Sequence, residues 1–136
     1  MEEKALKEVR FAKAADVMTK NVAYINGNET VANAIGIMKE IRISSLIVNR
    51  RGPEDTWGII TRKDVVSKVV SPGRDPHAVF VFEIMTKPLV MVSPDLELKY
   101  CARLFNQAGI RRAPVFDGKD IVGILSNSNI FFAIEV

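Results

Sequence analysis

Apolar positions in this 136-residue chain alternate between strand-like runs and helical stripes, and the order of those elements occurs twice. In the first half, Val22 to Ile25 forms a short run that predicts a strand. Val31, Ala34, Ile35 and Met38 then recur at the spacing of a helix face, with Asn28 as the expected N-cap. Ser45 to Asn49 and Thr56 to Ile60 predict two strands joined by a polar turn containing Gly52-Pro53, and Val65, Val66, Val69 and Val70 supply the face of a closing helix. In the second half, Leu89 to Val92 predicts a strand, and Asp95 is the expected cap of a helix carrying Leu98, Cys101, Ala102 and Phe105. Gly109 marks that helix's end, because glycine adopts a left-handed conformation cheaply. Ala113 to Phe116 and Asp120 to Leu125 pair around an Asp117-Gly118 turn, before a final face of Ile130, Phe131 and Ile134.

The repetition extends to individual residues. Asp16-Val17-Met18-Thr19-Lys20 returns as Glu83-Ile84-Met85-Thr86-Lys87, a shift of 67 positions that also carries Val31, Ala34, Ile35 and Met38 onto Leu98, Cys101, Ala102 and Phe105. One loop then shortens by two residues, and Gly58-Ile59-Ile60-Thr61 falls on Gly123-Ile124-Leu125-Ser126. Two tandem βαββα units predict an α/β (α+β) fold with a pseudo-twofold relation and a ligand position between the copies. The expected division is a helical flank at 1–15 with a thin face of Leu6, Val9 and Phe11, a first repeat at 16–70, a hinge at 71–77 containing Pro72, Gly73 and Pro76, and a second repeat at 78–136.

Composition narrows the class without changing the fold. With 48% hydrophobic and 26% charged residues the chain is globular, and no apolar run approaches the roughly 18 residues of a membrane span. One cysteine excludes an internal disulfide and fits a reducing cytoplasm. The net charge of +3 is spread among 16 acidic and 19 basic residues, which disfavours nucleic-acid binding despite a pI near 9.1. Basic pairs at Arg50-Arg51, Arg62-Lys63 and Arg111-Arg112 favour local anion binding instead.

The paired Asp/Glu-Val/Ile-Met-Thr-Lys openings, Ile110-Arg111-Arg112-Ala113-Pro114-Val115, and Gly58-Ile59-Ile60-Thr61-Arg62-Lys63-Asp64 together resemble the cystathionine β-synthase (CBS) domain family over residues 12 to 134. The resemblance implies a Bateman module, two CBS repeats clasped through their sheets with two clefts. It further implies homodimerisation, an adenosine ligand (AMP, ADP, ATP or S-adenosylmethionine), and regulation of an attached or partner protein of unknown identity. The chain is expected to be the module alone.

The same resemblance assigns the main site to Thr61, Asp64, Val90, Arg111 and Arg112. Asp64 would grip ribose hydroxyls with Thr61 beside it, Val90 would face adenine, and the two guanidiniums would fork onto phosphate. Read from the residues alone, Thr61-x-x-Asp64 is equally a capping box, Val90 an ordinary buried strand residue, and Arg111-Arg112 solvated charge. Arg62 and Lys63 are secondary candidates for the same phosphates. A second, weaker site would take Val22, Ser44, Ser45, Ser126 and Asn129, where Asn129 replaces the acid and two serines replace the arginines. Asymmetric occupancy follows from that difference.

No other residue carries a chemical assignment. His77 stands alone in the hinge without a metal partner, and Cys101 takes the place of Ala34 on an apolar face. Trp57 is expected as a core or interface anchor, and Phe131-Phe132 to divide between core and dimer contact. No nucleophile triad, Walker loop or paired catalytic carboxylate is present. The expectation is a non-enzymatic, energy-sensing regulatory module that binds an adenine nucleotide without a metal cofactor. The alternatives are a structural dimerisation module with empty clefts and an S-adenosylmethionine sensor.

Overall fold

The computed structural model describes residues 12–87 and 89–136, so most of the helix expected before residue 16 lies outside the described residues. The chain forms two compact units: Ala23–Leu89, and Met1–Val22 together with Val90–Val136. Sequence repeat and packing unit therefore divide the chain differently. Each unit consists of the body of one repeat and the Met-Thr-Lys opening segment of the other.

In the first of these units β1 (Tyr24–Ile25) leads into α2 (Val31–Glu40), which returns the chain to β2 (Ser45–Val48) and then β3 (Gly58–Thr61). The sheet order is β1-β2-β3, with β1 and β2 parallel and β2 and β3 antiparallel. A helical turn, α3 (Arg62–Val65), passes directly into a π-helical segment, Val66–Val70. Val65 and Val69, four residues apart, reach the core, whereas Val66 and Val70 stay more than half exposed. The apolar face expected from four valines is thus only half used. After the segment at 71–77 comes α4 (Val81–Ile84), and Thr86 then bridges the free edge of β3 at Ile59.

The other unit repeats this plan with α1 (Ala14–Val17), α5 (Leu98–Ala108), β4 (Arg112–Phe116), β5 (Ile121–Ser126) and α6 (Asn127–Phe132). Thr19 bridges β5 at Ile124, as Thr86 bridges β3. Its core gathers Ala14, Val92, Leu98, Cys101, Phe105, Ala113, Val115 and Leu125. Phe105 is 1% exposed, so cutting it to alanine removes about 3–5 kcal/mol of stability. Ile130 and Ala133 pack on this core, but Phe131 and Ile134 are exposed, contrary to the face expected for the last helix.

The strand expected at Leu89 to Val92 is reduced to one bridge, Val92 to Val115, and Val90 is exposed rather than a buried strand residue. The cause is Pro114. In the first unit the Ile47 N–H donates to the Ala23 carbonyl at 2.9 Å. Pro114 stands at the position equivalent to Ile47 and has no N–H to offer Val90. The ladder keeps only the Val92 N–H to Pro114 and Phe116 N–H to Val92 bonds.

Two expected caps are also displaced. Thr30, not Asn28, caps α2 by accepting the Asn33 N–H at 3.2 Å, and Glu97 rather than Asp95 precedes α5 without a side-chain cap. The incoming opening segments explain the shift, since the Val31 and Leu98 N–H groups donate to the Val79 and Ala12 carbonyls. Gly109 ends α5 at φ 66°, and Gly118 turns the β4–β5 hairpin at φ 102°, as the sequence predicts.

Candidate functional site

Thr61 is the last residue of β3 and the first cap of α3, and its neighbourhood is densely bonded. Its hydroxyl accepts the Asp64 N–H at 3.2 Å and donates to Asp64 Oδ2 at 3.0 Å. The Thr61 N–H donates to the same Oδ2 at 2.9 Å, completing a reciprocal capping box. Asp64 Oδ1 faces the Lys68 ammonium at 3.2 Å, and Lys68 also donates to the Ile84 carbonyl at 2.9 Å. A carboxylate offers about four acceptor positions. Three are taken here, which leaves one on Oδ1 for an incoming hydroxyl.

Ser45 pairs with Thr61 across β2 and β3, and the Ser44 carbonyl accepts the Arg62 N–H at 3.1 Å. Ser44, Ser45, Thr61 and Asp64 therefore occupy one edge of one unit. Arg62 reaches back to the Ile43 carbonyl at 3.3 Å, so its guanidinium is partly committed to the backbone.

The equivalent edge of the other unit carries the basic pair. Arg112 pairs with Ser126 across β4 and β5, and the Arg111 carbonyl accepts the Asn127 N–H at 2.9 Å. Ser126 and Asn129 reproduce the capping box, with Asn129 Oδ1 accepting the Ser126 N–H and hydroxyl, each at 2.9 Å. Asn129 spends one donor on the Thr19 hydroxyl at 3.3 Å. An amide thus performs the structural task of Asp64 without its charge. Val22 and Val90 belong to this unit, the first half-buried and the second exposed.

Lys68 and Thr19 were not expected at these positions. Lys68 was legible in principle, as the i+4 neighbour of Asp64 on a helix. Thr19 was not, because its approach to Asn129 depends on the exchanged opening segment. Among the described residues no group of three His, Cys, Asp or Glu side chains is placed to hold a metal ion, and no helix is long and apolar enough to cross a membrane. Cys101 is buried, and burial pushes its thiol above the ordinary value, which fits a packing role. His77 is exposed. Trp57 is half-buried beneath the Arg50 guanidinium, 4.1 Å from the ring centroid.

The sequence pattern of the CBS domain matches residues 14–71 and 81–136. An uncharacterized protein of Methanopyrus kandleri is 34% identical over 125 residues, covering 90% of this chain and 62% of that protein's length. A CBS domain-containing protein of Bacillus subtilis is 32% identical over 116 residues, 85% of this chain and 81% of its own. Among solved structures, a hexameric CBS-CP12 protein from bloom-forming cyanobacteria is 49% identical with a TM-score of 0.85, covering 88% of this chain and 70% of that one. With both copies matched and the repeats reproduced in the fold, the chain belongs to the CBS domain family as a tandem pair of CBS repeats.

Proposed function

We propose that the chain is a regulatory module that binds an adenine nucleotide (AMP, ADP or ATP) and signals its occupancy to a partner protein. The observation that carries the reading is the Thr61–Asp64 pair, a polar strand-to-helix junction with one carboxylate acceptor still available, in a chain of the CBS family. CBS pairs are in general regulatory, nucleotide-binding modules. The proposed ligand contacts are a ribose hydroxyl at Asp64, with Thr61 beside it, adenine against Val90, and phosphate at Arg111 and Arg112. Gripping both ribose hydroxyls requires Lys68 to release Oδ1.

The second set (Val22, Ser44, Ser45, Ser126 and Asn129) has a neutral amide in place of the carboxylate, and Asn129 already serves Ser126 and Thr19. This set therefore binds more weakly or stays empty. No metal and no catalytic step is assigned. Self-association into a homodimer or larger ring is supported by the exposed Phe131, Phe132, Val66 and Val70, and by the hexameric state of the cyanobacterial relative.

A structural role with empty sites is the second reading, favoured by the satisfied capping boxes at both edges. Thermal unfolding with AMP, ADP, ATP and S-adenosylmethionine separates the two. Nucleotide binding raises the midpoint, and above the dissociation constant the rise grows with the logarithm of ligand concentration. A midpoint that none of the four ligands moves at millimolar concentration leaves assembly alone. A shift with S-adenosylmethionine only replaces the phosphate ligand by the sulfonium one.

A further inference from the structure

At the sheet edge opposite Ser45 and Thr61, the Ala23–Leu89 unit contains a cavity of about 290 Å³. β1 and β2 run parallel, so their carboxyl ends open together onto it, through Asn26 after β1 and Asn49, Arg50 and Arg51 after β2. Crevices at the carboxyl ends of parallel strands are recurrent ligand positions in α/β sheets. The far wall is the loop to β3 with Asp55, and the Lys87 side chain from the opening segment of the second repeat.

The cavity is built by fixed interactions rather than left by loose packing. Asp55 accepts the Arg51 N–H at 2.9 Å and forms an ion pair with Lys87, both side chains being about three-quarters buried. The Asp55 N–H donates to the Gly52 carbonyl at 3.1 Å. Asn49 donates to Asn26 Oδ1 at 2.9 Å, tying the two strand ends together. Val48, Phe82 and Met85 supply an apolar floor. Gly27 belongs to the wall, where a Cβ would come within 3.3 Å of the Phe82 Cβ.

The charge balance of the lining is positive, with Arg50, Arg51 and Lys87 against Asp55. Asp55 takes the ammonium of Lys87 but only the backbone of Arg51, whose guanidinium forms no ion pair among the described residues. The corresponding loop of the second repeat is built differently. It is two residues shorter, and Asp117 there turns inward to accept the Lys119 and Asp120 N–H groups.

We propose that this cavity is an anion site, separate from the Thr61–Asp64 edge, that takes a small phosphorylated molecule. The forked guanidinium of Arg51 receives the phosphoryl oxygens, the Asn26 and Asn49 amides orient them, and the apolar floor accepts a short carbon body. Asp55 acts as a positioning residue by holding the loop.

The test is a titration of the isotopically labelled full chain with glycerol phosphate, inorganic phosphate and succinate, followed through the side-chain resonances of Asn26, Asn49 and Arg51. Saturable shifts with glycerol phosphate are expected. They should weaken about tenfold or more in Arg51→Ala, partly in Arg51→Lys, and not at all in Asp64→Asn. Arg51→Ala leaves the backbone bond to Asp55 in place, so an unchanged spectrum elsewhere confirms its fold. Loss of response in Asp64→Asn would assign the shifts to the other edge and overturn the proposal. So would the absence of saturable shifts at millimolar ligand, or affinity unaltered by Arg51→Ala. Succinate binding as tightly as glycerol phosphate would overturn the phosphoryl assignment.

Discussion

Met18 lies over Gly123 so closely that a Cβ on the glycine would stand 2.5 Å from the methionine sulfur and 3.0 Å from the Thr19 carbonyl oxygen. Met85 covers Gly58 in the same way, but there the distances are 2.8 Å to the sulfur and 3.4 Å to the Thr86 oxygen. The Met-Thr-Lys segments are therefore locks, each seated on the glycine of the repeat it joins. A methionine side chain can turn away, whereas the Thr19 backbone is held by reciprocal 2.9 Å bonds with Ile124. Gly123→Ala is expected to cost about 1–3 kcal/mol and Gly58→Ala less, as read from urea unfolding midpoints.

The cap at Thr30 gives a second contrast. Thr30→Ala removes the acceptor for the Asn33 N–H and should cost about 1 kcal/mol. Asn28→Ala, at the position the sequence pattern favours, should leave the midpoint almost unchanged. The reverse order would restore the cap to Asn28.

Much of the fold was legible because its signals are local. The two βαββα units, the αL stop at Gly109 and the Asp117-Gly118 turn follow from periodicity and turn chemistry. What escaped depends on contacts distant in sequence. The caps moved because Val79 and Ala12 supply carbonyls that occupy the first helical N–H groups. The missing strand at Val90 was readable from Pro114, once the register against Ile47 is known. At the candidate site, the capping box and the proposed ligand grip fall on one pair of residues, so the sequence offered both readings. The ion pair of Asp55 and Lys87 had no sequence signal, since 32 positions separate the partners.

Asp55 makes stability depend on acid. The Arg51 N–H, and then Lys87, hold its carboxyl down to about 2, from 3.8. A folded-state value below the unfolded one stabilises the fold above about pH 4, and that stabilisation is lost as pH falls from about 4 to about 2. Asp55→Asn should flatten this part of the pH–stability curve. Glu83 and Asp117 contribute in the same direction, their carboxyls being lowered first by the Phe80 and Asp120 N–H groups. A carbon-13 titration of the Asp55 carboxyl with a midpoint near 4 would contradict the assignment.

Asp64→Asn separates the capping role of that residue from its proposed ribose contact. Asn129 already closes the same cap in the second repeat, so the variant should fold with nearly unchanged stability while losing the charge proposed to grip ribose. Calorimetric titration of wild type, Asp64→Asn and the Arg111→Ala, Arg112→Ala double variant with AMP and ATP is the most direct test. The account predicts saturable binding by the wild type. It also predicts about tenfold or greater weakening in Asp64→Asn, and a loss in the double variant that is larger for ATP than for AMP. Equal affinities in all three proteins would contradict it.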